Sequence, residues 1–207
     1  MSPRSYSSAR DRILDAAEKV ILQRGLGGLS VDAVLKEAEV SKGGFFHHFA
    51  TKEELLGAII LRLSSVVDGQ IAELSAGDRQ VRGRGLRAQI QLAIDMPAAA
   101  RDRLRTLVLA LVAASMESPS IAAAARLANK KALKLAVVDG IAVGPALVVQ
   151  FALDGYWLAE SLDTMALSRA QTREFRDALL SMTGAQNTKR KARVKTKTKT
   201  KAKGGNK

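Results

Sequence analysis

Twelve residues, Ser41-Lys42-Gly43-Gly44-Phe45-Phe46-His47-His48-Phe49-Ala50-Thr51-Lys52, constrain this chain more than any other stretch. The Ser41 hydroxyl can accept a bond from an N–H that a helix start otherwise leaves orphaned. Val40 and Phe45 have the spacing of the two apolar residues that clasp such a start. A second helix start follows closely, because Thr51 and Glu54 are spaced as a capping box that opens a helix at Lys52. Only a short helix fits between them. Gly43 and Gly44 each cost roughly 0.8–1 kcal/mol against Ala in a helix. Their presence in the first turn predicts close approach to another surface, such as a DNA backbone or base edge.

The preceding residues read as support for that helix. Ile13, Leu14, Ala17, Val20 and Ile21 follow the i, i+3, i+4, i+7 spacing of a helix with one buried face, which stops at Gly25. Leu29 and Val34 clasp a second helix capped by Ser30, with Val31, Val34, Leu35 and Ala38 on its inner face. A tight turn then leads into Ser41. Short helix, turn and short helix over about residues 30–49 is the helix-turn-helix arrangement, whose second helix reads the major groove. Phe45 and Phe49, at i and i+4, are expected in the core, and Phe46 and His47 outside. His47 and His48 are the only histidines and, being adjacent, point to different faces; no metal site is expected. His47 is expected to contact phosphate or base and His48 to pack locally. Lys52 and the free N–H groups beside it suit a phosphate.

In order and spacing these stretches resemble the TetR family of bacterial transcriptional regulators. The resemblance rests on Arg12-Ile13-Leu14-Asp15-Ala16-Ala17, Gly25, Val31 to Ala38, Ala38-Glu39-Val40-Ser41, Phe46-His47-His48-Phe49 and Lys52-Glu53, and covers about residues 8–67. Two positions depart from the family pattern. Glu39 stands where the turn usually has Gly, at a cost of roughly 1–2 kcal/mol if that residue is left-handed. Phe46 stands where the family usually has a Tyr whose hydroxyl contacts a phosphate. The resemblance implies an all-α fold of about nine helices, with a helix-turn-helix domain at 8–67 and a helical ligand-binding and dimerisation domain at 68–184. The DNA-contacting set it implies is Ser30, Ser41, Lys42, Gly43, Gly44, Phe46, His47, His48 and Lys52.

The remainder fits a helical reading on its own residues. Ala76 to Gly85 is a polar break. Helices are then expected over Leu86 to Asp95, Ala98 to Met116 and Ala122 to Val138, the last begun by Ser118-Pro119. Leu147 to Leu162 is apolar nearly all the way round, which predicts burial on both sides. Ser168 and Gln171 form another capping box, opening a last helix with Phe175, Leu179 and Met182 on one stripe. No strand pattern appears. Hydrophobic residues make up 47% and aromatics 4%, so the core is aliphatic. The absence of Cys excludes disulfides and thiolate metal sites. Apolar runs such as Leu107 to Met116 fall short of the ~18 residues a membrane span requires, so a soluble, cytoplasmic protein is expected. Ten of the 33 Lys and Arg lie between Gln186 and Lys207. That stretch can bury nothing, and a disordered Lys-rich tail at 185–207 is expected. Met1 to Ser8 is expected to be a disordered arm.

These features favour a homodimeric, sequence-specific DNA-binding regulator, most simply a repressor released by a small-molecule inducer. One helix-turn-helix reads few base pairs, so two copies on a palindromic operator are needed. The family resemblance places the dimer contact in the last two helices. Met116, Phe151, Asp154, Tyr156 and Trp157 are candidates for a ligand pocket, with Asp154-Gly155 inside an apolar helix as the clue. The alternative is an architectural DNA-binding protein dominated by its basic tail. No nucleophile is paired with a His, and no metal-ligand spacing or Gly-rich phosphate loop occurs, so neither an enzyme nor a cofactor is expected.

Overall fold

Five hydroxyls cap helices in the computed structural model, which describes residues 8–184 apart from the side chains at 132 and 135–138. The Oγ of Ser8, Ser30 and Ser41 accepts from the backbone N–H three residues on, at 3.1 Å in each case. Thr51 Oγ1 does so from Glu54 at 3.1 Å and Ser168 Oγ from Gln171 at 3.3 Å. The expected box at Ser168 is complete, with its own N–H donating to Gln171 Oε1. At Thr51 the return bond differs. Glu54 Oε2 accepts from Ala50 N at 2.8 Å, one residue before the cap, and so ties the preceding turn to the helix.

The helices are α1 (Ala9–Arg24), α2 (Val31–Ala38), α3 (Lys42–His48), α4 (Lys52–Ala76), α5 (Arg84–Ile94), α6 (Ala98–Glu117), α7 (Pro119–Val138), α8 (Val143–Ser161) and α9 (Arg169–Met182), with a 3-10 turn at Leu26–Gly28. No strand occurs among the described residues. Ser8 belongs to the cap of α1 rather than to a loose arm. The arm with Arg4 and the Lys-rich tail lie outside the described residues. Gly25, at φ 68°, ends α1, and Glu39, at φ 53° and ψ 45°, ends α2 in the left-handed region.

Two apolar cores form. The first joins Ile13, Leu14, Ala17 and Ile21 of α1 to Val34 of α2, Phe45 and Phe49 at α3, and Leu55, Leu56 and Ile59 of α4. It is completed by residues far along the chain, namely Leu107, Leu111 and Ala114 of α6 and Ile121 of α7. The second joins Leu86 and Ile90 of α5, Ile141 just before α8, Ala146, Val149 and Leu153 of α8, and Leu179 of α9. α4 runs unbroken for 25 residues past the expected division at 67 and 68, packing along α7 and α5. It is also the one described helix long and apolar enough to cross a membrane, with a mean hydropathy of 1.5, contrary to the sequence reading. Its buried residues Leu55, Leu56, Ile59 and Ile71 are spread along the helix, while Leu61 and Val66 are exposed.

Glu18 of α1 is 4% exposed among these apolar groups. Arg62 of α4 donates from Nε to Glu18 Oε1 at 3.1 Å and from Nη1 to Asp15 Oδ1 at 2.7 Å. Arg103 of α6 donates to Glu18 Oε2 at 3.0 Å. Desolvation works against the Arg62 charge, but the bonds to Glu18 and Asp15 outweigh it and raise its pKa.

Two expectations about the last helices change. α8 buries one side only; Val148, Phe151 and Leu158, with Leu162 just after the helix, are exposed, because a single chain covers just the faces turned to α5, α6, α7 and α9. A Cβ at Gly155 would meet nothing within 4 Å, so the close packing expected there is absent within the chain. On α9, Leu179 is buried and Phe175 half-buried, but Met182 is 39% exposed and leaves the stripe.

Replacing Glu39 by Gly removes a Cβ from a left-handed position with no side-chain bond to lose. Stability should rise by about 1 kcal/mol, and the midpoint of thermal unfolding by about 2–4 °C. A lower midpoint would contradict the account of this turn.

Candidate nucleic-acid interface

α3 is held from beneath by two rings. Phe45 is fully buried and Phe49 1% exposed, their centroids 6.1 Å apart, and the Arg10 guanidinium lies 5.4 Å above the Phe49 ring, a cation–π contact. With those positions facing inward, Lys42, Gly43, Phe46 and His47 form the exposed face. Phe46 is 45% exposed, its ring edge-on to Phe45 at 5.3 Å.

A Cβ at Gly43 would meet nothing within 4 Å, and one at Gly44 would meet Ser41 Oγ at 3.3 Å. Crowding inside the chain therefore explains Gly44 but not Gly43. Ser30 and Ser41 hold the starts of α2 and α3, and Lys52 is the first residue of α4. Their N-terminal N–H groups provide positive ends for anions. His48 is separated from the outward face. It is half-buried and lines a cleft of about 480 Å³ with Arg10, Phe49, Glu53, Leu61 and Ser120.

The candidates in the second half lie in different surroundings. Met116 is 84% exposed at the end of α6 and Phe151 70% exposed on the open face of α8. Asp154 also reaches solvent and accepts from Gln150 Nε2 at 3.0 Å. Desolvation raises its pKa above the ordinary carboxylate value, and the Gln150 bond opposes that rise. Tyr156 is buried. Its hydroxyl donates to Glu160 Oε1 at 2.9 Å and accepts from Arg101 Nη1 at 3.3 Å, while burial, followed by the Glu160 bond, raises its pKa. Trp157 lines a cleft of about 160 Å³ between α6 and α8.

Glu18, Arg62, Arg103 and Ser161 were missed from sequence. Glu18 had a local signal: with Leu14 and Ile21 it makes an i, i+4, i+7 stripe, so a carboxylate was bound to face the core. Its arginine partners come from distant helices and carry no such mark.

A family model described as bacterial regulatory proteins, tetR family, matches residues 13–59. A second, described as tetracyclin repressor-like, C-terminal domain, matches residues 83–184. The chain is 33% identical over 85 residues to the HTH-type transcriptional repressor NemR of Escherichia coli K12, a match covering 41% of this chain and 43% of that protein. It thus spans less than half the length of this curated relative. A transcriptional regulator from Rhodococcus sp. Rha1 shares the fold at a TM-score of 0.68 and 24% identity, over 85% of this chain and 96% of that one. The multidrug binding protein EbrR, solved with imidazole, does so at 0.67 and 22%, over 88% and 98%.

Phe46→Tyr places a hydroxyl on the exposed edge of the ring. It should tighten DNA binding by about 0.5–1.5 kcal/mol if the ring faces a phosphate. Unchanged or weaker binding in a titration with DNA would mean that α3 docks in another orientation.

Proposed function

The chain belongs to the TetR family of bacterial regulatory proteins, and from that premise we propose that it is a DNA-binding transcription regulator, a cytoplasmic homodimeric repressor released from a palindromic operator by a small molecule. The observation that carries this reading is the outward face of α3, braced by Phe45 and Phe49. In it, Lys42, Gly43, Phe46 and His47 meet the major groove, with Gly43 admitting the closest approach. Ser30, Ser41 and Lys52 hold flanking phosphates at three helix starts, and Gly44 lets Ser41 cap α3 closely. His48 braces the helix from the cleft behind it.

The dimer forms through α8 and α9. The uncovered face of α8, with Val148, Phe151 and Leu158 beside open space at Gly155 and Leu162 just after the helix, supports a four-helix bundle with a second copy. A small-molecule inducer is supported by the relation to a multidrug binding protein solved with imidazole and by the way the two cores interlock. α6 supplies Leu107, Leu111 and Ala114 to the DNA-reading core, while its Arg101 bonds to Glu160 of α8 at 2.8 Å. Displacement of α6 against α8 therefore reaches α1 directly and α3 through α1. Coupling of the usual ~1–3 kcal/mol would weaken operator binding about 5- to 150-fold.

Selection of bound sequences from a random DNA pool should recover a palindrome whose half-sites lie about one helical turn apart or more. Recovery of unrelated sequences, with uniform coating in a footprint, would instead support the architectural role. Phe151→Asp should weaken self-association at least about tenfold by sedimentation, since burying a Phe is worth about 1.5–3 kcal/mol. Wild-type association in that variant would place the dimer contact elsewhere.

A further inference from the structure

Exposed cations gather at the end of the molecule remote from α3. α4 and α7 run side by side in the same sense, since a Cβ at Gly57 would meet Ala124 at 3.6 Å and Lys131 reaches Asp68 at 2.6 Å. Asp68 already lies about 24 Å along α4 from Lys52. Beyond that level three segments meet. Gly83 N donates to the carbonyl of Asp139, just past α7, at 2.9 Å. Gln80 Nε2 donates to the carbonyl of Gly184, just past α9, at 3.1 Å.

Arg79, Arg82, Lys130 and Lys134 are exposed in these segments, and none has an ion-pair partner among the described residues. Four acids lie between residues 68 and 85 and between 130 and 140. Asp68, Asp78 and Asp139 are paired with Lys131, Arg87 and Arg84, which leaves Glu73. α7 itself carries Lys and Arg but no acid. Spread over a loop and a helix, the four free cations match an extended line of phosphates rather than one small anion. From Gly184 the chain continues into the stretch with ten Lys and Arg and no acid between Gln186 and Lys207.

We propose that this end binds the phosphate backbone of a second DNA duplex, so that the protein bridges the duplex read by α3 to another segment. For the first duplex alone the proposal rests on the reading of DNA by α3. Lys189 and Arg190 reach at most about 18–22 Å from Gly184 even along a fully extended path, too short to return to the level of Lys52. A duplex held at α3 keeps other stretches of the same DNA nearby at high effective concentration, which makes DNA the polyanion closest to hand.

The test holds full-length protein on an immobilised duplex carrying the operator recovered by selection and adds a labelled duplex of unrelated sequence at about 0.15 M salt. The labelled duplex should be retained, and less so as salt rises. Arg79→Gln, Arg82→Gln, Lys130→Gln and Lys134→Gln together should cut retention at least about tenfold and lower its log–log salt slope by roughly 3–4, with operator affinity unchanged and the fold kept by circular dichroism. Lys189→Gln with Arg190→Gln should lower the slope by a further ~2. No retention by the wild-type protein, or retention indifferent to the quadruple variant, would overturn the second site. An equal loss of operator affinity in that variant would overturn it too, by placing these cations on the flanks of a single duplex. Displacement of the labelled duplex by phosphatidylglycerol vesicles at equal phosphate concentration would replace DNA by a lipid surface. If α3 reads no operator, direct titration of the unrelated duplex still decides: binding that falls with the quadruple variant upholds the far site, and binding that falls only with Lys42→Ala, His47→Ala overturns it.

Discussion

Most of the architecture follows from one buried charge. A carboxylate on an apolar face costs several kcal/mol unless it is paired and hydrogen-bonded, and Glu18 stands between Leu14 and Ile21 on the buried stripe of α1. Its two oxygens are satisfied by Arg62 of α4 and Arg103 of α6. Each arginine comes from a different helix, so satisfying Glu18 requires α1, α4 and α6 to meet at one point. Once they meet, Leu107, Leu111 and Ala114 lie against the first core. The helix-turn-helix unit and α6 are then packed together in one core.

The order of helices was legible because helix starts are local. Ser30, Ser41, Thr51 and Ser168 each bond a backbone N–H three residues away, an event that depends on little beyond those four residues. The inward rings were legible for the same reason, since Phe45 and Phe49 are one helical turn apart. Features that depend on non-local contacts were less legible. The all-round apolarity of α8 was read as burial on both sides, yet a single chain supplies neighbours for only one. The five ligand candidates were chosen by residue type along the chain, and type does not fix convergence: Met116 and Phe151 open to solvent on different helices, while Trp157 meets Ser161 and α6. The length of α4 was masked by a domain boundary drawn where the resemblance stopped.

The local departures from the family pattern also have physical content. Glu39 does occupy the left-handed turn, so the chain tolerates strain there, and the Leu35 carbonyl accepts from Val40 N at 3.3 Å across it. At Phe46 the ring keeps its place against Phe45. Shape is thus retained at that position where the terminal hydroxyl is not.

The unbroken run of α4 has a metric consequence. At 1.5 Å per residue its 25 residues make a rod of about 37 Å, with Lys52 at one end and Ile71 buried near the other. Tilting such a rod by about 5° moves its far end by about 3 Å, close to the 3.4 Å that separates successive phosphates along the axis of one DNA strand. With the Lys52 end on a phosphate, as proposed, an angular change of that size would put it out of step with the duplex by about one base pair.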